Sequence, residues 1–207
     1  MVNCITNNKA VGNINVYDFD NTLYDGESTL DFYFFCLRHH PSLFRFIPVI
    51  LYNFAKYKMC LISVAEFEAL AEKYASDFVR SCPDSAELSE KFWINGSKKL
   101  KSFYAGVRRE DDIVMSASFS FLLEPVSRIM NVKRLVCSEV DTKSGEVGTL
   151  CFGKNKARLF EKMFPGETID DFYTDSLNDK PMMELAKGNV YIVNKEKITL
   201  YKRTEKR

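Results

Sequence analysis

The chain of 207 residues has room for one domain, or for a core with an inserted subdomain, and its 46% hydrophobic content is enough for a real core. Lysine plus arginine total 29 against 28 acids, a net charge of +1, so no bulk field draws the protein to nucleic acid or to an anionic membrane. Six scattered cysteines (Cys4, Cys36, Cys60, Cys82, Cys137, Cys151) form no CxxC pair and have no His-rich neighbour, which argues against zinc and against a disulfide framework and for reduced thiols in a cytoplasmic protein.

The first residues, Met1 to Asn8, lack the apolar stretch of a signal peptide. Val11 to Asp18 reads as a strand that opens the core sheet, and it runs out into Asp18-Phe19-Asp20-Asn21-Thr22-Leu23. Residues two apart in a strand point to the same side, so Asp18 and Asp20 can face one small site if the chain turns just after the strand. Such a pair is costly unless a cation or a proton neutralises it, and a hard divalent metal with oxygen ligands is the natural answer. One carboxylate can then attack phosphorus while the other moves a proton. Taken alone, the same residues also describe a strand end with two solvated aspartates.

Tyr24 to Ser28 is a turn in which Gly26 can take positive φ. Ser28 can cap the helix expected over Thr29 to Arg38, where Phe and Leu recur at helical spacing. His39-His40-Pro41 breaks that helix, and the histidines read as a helix end rather than as metal ligands. Ser42 to Ser63 is rich in Leu, Phe, Ile and Val but carries Arg45, Pro48, Asn53, Lys56 and Lys58, too many interruptions for a spanning helix. It is expected to be a buried or partner-facing amphipathic helix pair, with an interfacial helix on a bilayer as the second reading. Further helices are expected over Val64 to Val79 and Ser85 to Tyr104, so the stretch from Thr29 to Tyr104 is wholly helical.

The pattern then changes. Strands are expected at Asp112 to Ser116, Arg134 to Cys137, Ile169 to Thr174 and Val190 to Val193. Helices are expected at Phe119 to Met130, Lys156 to Phe164 and Lys180 to Lys187, and a hairpin over Thr142 to Phe152. The tail from Lys202 to Arg207 is expected to be frayed. Strands alternating with helices mean βαβ units and a mostly parallel sheet, which binds ligands at the carboxyl ends of its strands. Polar residues fall at those ends: Asp18 and Asp20; Ser116 and Ser118; Gly153-Lys154-Asn155-Lys156 at a helix start; and Tyr173-Thr174-Asp175-Ser176-Leu177-Asn178-Asp179. Each alone could be a cap or a surface charge.

Together, and in this order, they resemble the haloacid dehalogenase superfamily of phosphohydrolases. DFDNTL at Asp18 to Leu23 is similar to the first motif, DxDxT. MSAS at Met115 to Ser118 is similar to the second, Lys156 in GKNKARLFEKM to the third, and TDSLNDKPM at Thr174 to Met182 to the fourth. The helical insert between the first two motifs resembles the cap of subfamily IB, which includes phosphoserine phosphatase. The resemblance implies an α/β fold: a Rossmann-like three-layer core with a mostly parallel sheet, made of residues 1–27 and 105–207, and an all-helical cap over residues 28–104.

It also implies roles. Asp18 would be the nucleophile and Asp20 the acid and base, with its carbonyl on the metal; Thr22 would orient Asp20. Ser116, with Ala117, would hold the phosphoryl oxygens and Lys156 would balance charge. Asp175 would bind Mg2+, and Asp179 would support it directly or through water. Glu27 could read a substrate amino group, or simply be a first-turn acid. Lys154 competes with Lys156, and Ser118 with Ser116. Ala117-Ser118 stands where phosphoserine phosphatases carry Gly-Gly, and the apolar Leu37 to Leu51 segment looks more like a branch that includes phosphatidylglycerophosphate phosphatases. The leading expectation is a Mg2+-dependent phosphatase for a small phosphorylated metabolite, without nucleic acid. The alternatives are a lipid-phosphate hydrolase at a membrane surface and a non-enzymatic binding module on the same fold. The sequence sets no oligomeric state.

Overall fold

A computed structural model describes residues 13–59, 61 and 63–202. The expectations for Cys4, Cys60, the N-terminal run and the tail beyond Lys202 lie outside the described residues. Among them, six strands form one sheet: β1 (Asn13–Tyr17), β2 (Ile113–Phe119), β3 (Arg134–Ser138), β4 (Thr168–Thr174), β5 (Val190–Asn194) and β6 (Lys197–Leu200). Their order is β3-β2-β1-β4-β5-β6; β6 alone runs antiparallel, and the other pairings are parallel. β6 escaped the sequence reading. Its signal was the alternation of Ile198 and Leu200 after the tight Asn194-to-Lys197 turn, where Lys195 takes φ 52°.

The alternation of each strand sorts its side chains onto two faces. Ile14, Val16, Ile113, Met115 and Phe172 point to one core with Phe160, Met182 and Met183 of α7 (Gly153–Met163) and α8 (Lys180–Leu185). Tyr17, Val114 and Tyr173 point to the other, against Leu122, Leu123 and Val126 of α6 (Ser120–Ile129). The rings of Tyr17, Tyr173 and Tyr191 stack across three neighbouring strands at 4.8 Å spacing. Helix, sheet and helix make the three expected layers.

Between β1 and β2 the described chain is helical: α1 (Ser28–Cys36), a 3-10 turn at Pro41–Phe46, α2 (Ile47–Lys58), α3 (Val64–Ser81), α4 (Ser85–Gly96), a 3-10 turn at Ser97–Lys99, and α5 (Phe103–Val107). Two details differ from the sequence reading. Ser28 is not the cap of α1 but its first helical residue, with Glu27 at the N-cap position. The helix expected to reach Tyr104 stops at Gly96, because Leu100 turns extended to bridge Tyr24 and Lys101 N–H donates to the Leu23 carbonyl. The insert has two tiers. α1 and α4 share the hydrophobic cluster of β1 and α6: Trp93 packs on Phe19 and Tyr24 and donates to the Leu122 carbonyl at 2.6 Å. The Pro41–Phe46 turn, α2 and α3 pack on one another above them. α3 begins with a capping box, Ser63 with Glu66.

The expected hairpin is present but opens earlier. Gly148 N–H donates to the Glu139 carbonyl and Glu139 N–H to the Thr149 carbonyl, Val140 bridges Val147, and Arg80 of α3 donates to the Ser144 carbonyl at its tip.

Candidate active site

β1 lies between β2 and β4, at the point where successive connections leave in opposite directions, so the carboxyl ends of these three strands form a crevice. Asp18 leaves β1 with its N–H still bonded to the Tyr173 carbonyl of β4. The chain then turns sharply. The N–H groups of Thr22, Leu23 and Tyr24 all converge on the Phe19 carbonyl, and Asn21 takes φ 57°, a conformation Asn tolerates better than most residues. Gly26, at φ 136°, closes the loop by accepting from the Asn21 N–H.

This turn separates the two carboxylates. Asp18 is 8% exposed and held by two elements: Lys156 Nζ of α7 donates to Oδ1 at 2.6 Å, and Thr22 Oγ1 donates to Oδ2 at 3.2 Å. Lys156 also reaches both oxygens of Asp179, at 3.1 and 3.0 Å, and Thr174 Oγ1 donates to Asp179 Oδ2 at 2.9 Å. Lys154, the competing lysine, is exposed, whereas Lys156 is buried. One turn of α7 separates solvent from the site, and only the second lysine points inward.

Asp20 is held differently. Its Oδ1 accepts the backbone N–H of Ser28 at 2.6 Å, and its Oδ2 accepts from Ser118 Oγ at 2.7 Å and from Ser116 Oγ at 3.4 Å. Ser118 is itself set by the hydroxyls of Ser28 and Thr29, at 3.0 and 2.8 Å, and its N–H donates to Ser116 Oγ at 3.0 Å. The expected contact of Thr22 with Asp20 is not made. Thr22 curls back one turn onto Asp18, and the donors on Asp20 come instead from β2 and the start of α1. Ser118, the weaker candidate from spacing, is the closer partner.

The remaining expected residues divide. Asp175 is partly exposed beside the cluster and makes no ion pair among the described residues. Ala117 is exposed at the rim. Glu27 is exposed and accepts from Asn21 Nδ2 at 2.8 Å. Lys101, which the sequence reading passed over, is buried at the root of the insert and donates to the Asn21 carbonyl at 2.5 Å. Nothing local marked it, because its partner lies 80 residues away.

Charge is unbalanced here. Burial raises the pKa of Asp18 against the pull of Lys156, and Asp179 raises it further. Burial and then Asp179 do the same to Asp175. Burial disfavours the Lys156 charge too, but Asp18 and Asp179 outweigh it and hold the ammonium protonated. Lys156, bonded to Asp18 and Asp179, therefore faces three crowded carboxylates. A hard divalent cation would relieve the surplus, and the oxygens on offer (Asp18, Asp175 and the Asp20 carbonyl) suit magnesium, which takes one or two carboxylates and keeps waters. Asp179 adjoins them, held by Lys156 and Thr174. A cleft of about 380 Å3, lined by Arg108, Arg109 and Lys133 among others, opens at the opposite, amino-terminal end of the strands and does not touch this cluster.

A profile of haloacid dehalogenase-like hydrolases matches residues 16–184. No curated protein matches the sequence. Among solved structures, a protein of unknown function from Bordetella pertussis Tohama I is similar at 19% identity and TM-score 0.62, over 84% of this chain and 87% of that one. A HAD family hydrolase from Salmonella enterica serovar Typhi is similar at 10% identity and TM-score 0.54, over 84% and 60%. A phosphoserine phosphohydrolase-like protein from Francisella tularensis is similar at 15% identity and TM-score 0.50, over 86% of each chain. At these identities the likeness is one of fold.

Proposed function

The chain belongs to the haloacid dehalogenase-like hydrolases, and from that premise we propose that it is a magnesium-dependent phosphatase that hydrolyses a phosphate monoester through an aspartyl phosphate on Asp18. The observation that carries this reading is the unlike treatment of two neighbouring carboxylates. Asp18 is paired with a buried ammonium, which positions it and pulls against the burial that raises its pKa. Asp20 is surrounded by neutral donors and its pKa is raised, chiefly by burial and against the hydrogen bonds of Ser28, Ser118 and Ser116. Two carboxyls with different surroundings can divide the work of nucleophile and acid.

In the first step a carboxylate oxygen of Asp18 bonds to phosphorus, the bond to the ester oxygen breaks, and Asp20 gives that oxygen its proton. In the second, water attacks the same phosphorus, Asp20 takes the proton, and the bond to Asp18 breaks to release phosphate. Lys156 offsets negative charge on the phosphoryl group, and Ser116 with the N–H groups around Ala117 lies at the strand end where phosphoryl oxygens would sit. Magnesium, held by Asp18, Asp175 and the Asp20 carbonyl with Asp179 in support, would supply further neutralisation of that charge.

A second reading draws on a specific observation. Phe44, Leu51, Tyr52, Met59 and Leu61, in and around α2, are 59–68% exposed, with Arg45 and Lys56 among them. An apolar surface with basic residues suits a substrate presented by a bilayer, such as a lipid phosphate. No helix among the described residues is long and apolar enough to cross a membrane.

The test is a screen of phosphate esters, soluble and lipid-borne, with Mg2+ present and released phosphate as the readout. Turnover by the wild type and none by Asp18→Asn is expected. Release by Asp18→Asn at the wild-type rate would sink the mechanism, and no release from any ester would favour a non-enzymatic binding module.

A further inference from the structure

A second cluster of reactive side chains lies at the far end of α1, about 12 Å from Ser28 at 1.5 Å per residue. Cys36 is the last residue of α1, His40 precedes the Pro41–Phe46 turn, Cys82 follows α3, and Asp84 is the N-cap of α4. Spacing along the chain pointed away from zinc, since no CxxC pair exists. The fold instead brings His40 against Cys82-x-Asp84. His40 Nε2 and Asp84 Oδ1 are 2.5 Å apart, Cys82 Sγ is 3.7 Å from the same oxygen, and the three ligand atoms lie within 4.8 Å of one another. Cys36, nearby in sequence and buried, is not one of these three.

Two features mark this as more than packing. Asp84 stands at an N-cap, where Asp ordinarily accepts from the next turn's N–H groups, yet it makes no such bond and turns its carboxylate to His40 and Cys82. Cys82 is fully buried, while the side chains of His40 and Asp84 are 25% and 41% exposed, so the cluster has a closed floor and an open mouth. The backbone is already fixed on both sides: His40 N–H donates to the Cys36 carbonyl at 2.8 Å, and Ser85 N–H to the Cys82 carbonyl at 3.0 Å.

We propose that His40, Cys82 and Asp84 supply three ligands of a tetrahedral site for a borderline-soft divalent ion, zinc above all, separate from the strand-end chemistry, with the fourth position left to water at the exposed mouth. One sulfur, one imidazole and one carboxylate are a zinc donor set and a poor one for magnesium. Metal–ligand lengths of about 2.0–2.3 Å give tetrahedral edges of roughly 3.3–3.8 Å. The Cys82–Asp84 separation already fits, and the His40–Asp84 hydrogen bond has to open by about 1 Å on the same geometry. Binding exchanges the Cys82 thiol proton for the ion, which would then tie the Pro41–Phe46 turn to the junction of α3 and α4.

The test is a Co2+ titration of the full-length, reduced protein with Mg2+ in excess. One Co2+ per chain is expected, with thiolate charge-transfer absorption and tetrahedral d–d bands that Zn2+ abolishes. Cys82→Ser should lose the charge-transfer intensity. His40→Gln and Asp84→Asn, both at partly exposed positions, should weaken binding by more than ~100-fold, beyond what changes behind the ligands usually cause. Absent thiolate bands, or equal affinity in His40→Gln, would overturn the proposal. Phosphate release is not the readout, so a failed phosphatase assay leaves the result standing.

Discussion

The backbone N–H of Ser28 donates to Asp20 Oδ1 at 2.6 Å, so the first turn of α1 grips the carboxylate proposed as acid and base. A carboxylate at a helix N-terminus satisfies an otherwise orphaned donor and meets the positive end of the helix dipole. The insert therefore sets the geometry of a residue that belongs to the first core loop.

Asp20→Asn keeps the attacking carboxylate and removes the proton carrier, which typically supplies roughly 10²–10⁴-fold in rate. An activated ester needs little protonation, so its first step should survive better than its second. After a brief pulse with acetyl phosphate or a nitrophenyl ester, intact-mass spectrometry should show one added phosphoryl group, absent from Asp18→Asn. No adduct under any pulse condition, together with unimpaired turnover, would contradict the two-aspartate division.

Lys156→Met leaves Asp18 and Asp179 without their shared cation. Breaking a buried pair in this way costs about 3–5 kcal/mol, and urea unfolding without Mg2+ should report a loss of that order, with activity gone. Lys154→Met, two residues earlier on the exposed side, should stay within about 0.5 kcal/mol of the wild type and keep turnover. Equal effects of the two would mean that the wrong lysine has been assigned.

Ser118→Ala removes the 2.7 Å donor on Asp20 without touching Asp18. A lost hydrogen bond to a charged group is worth about 1.5–3 kcal/mol, so kcat should fall by roughly 10- to 100-fold with little change in KM. Ser118→Thr should recover much of the loss. A change confined to KM would move Ser118 from positioning to substrate binding.

Asp175→Asn should weaken Mg2+ binding by about an order of magnitude or more, since it removes one of few carboxylate ligands from a site that takes one or two. Calorimetry on the folded variant measures this directly, and unchanged affinity would relocate the ion.

Leu51→Ser with Tyr52→Ser should leave hydrolysis of a soluble ester unchanged, because both side chains are about 60% exposed. If the bilayer reading holds, the same protein should lose sedimentation with anionic vesicles and turnover of vesicle-borne phosphates. Retention of both would remove α2 from that role.

What was legible in the sequence was whatever depended on local spacing. Asp18 and Asp20 declared themselves by their interval at a strand end, and the alternation of strands and helices gave the layered sheet. Lys156 could be set against Lys154 only by helix register, and burial separates them. The partners of Asp20 were hidden, because Ser118 and Ser28 are 90 residues apart and each looks like an ordinary cap. Thr22 was misdirected because the left-handed Asn21 turns its hydroxyl back toward Asp18. The His40–Cys82–Asp84 cluster was invisible for the same reason as Ser118, since its parts come from helix ends that meet only in the folded chain.

The Trp93 indole, wedged between Phe19 and Tyr24 and bonded to the Leu122 carbonyl, has a consequence for protein engineering. A graft that exchanges the whole region between β1 and β2 for that of a relative would tear out part of the sheet's own hydrophobic floor, a truncation of the kind that costs about 3–5 kcal/mol for Trp alone. Chimeras cut inside the insert, retaining α1 and α4 and exchanging only the upper tier from the Pro41–Phe46 turn through α3, would keep that floor. Substrate preference could then be transplanted by moving fewer residues than the topology suggests.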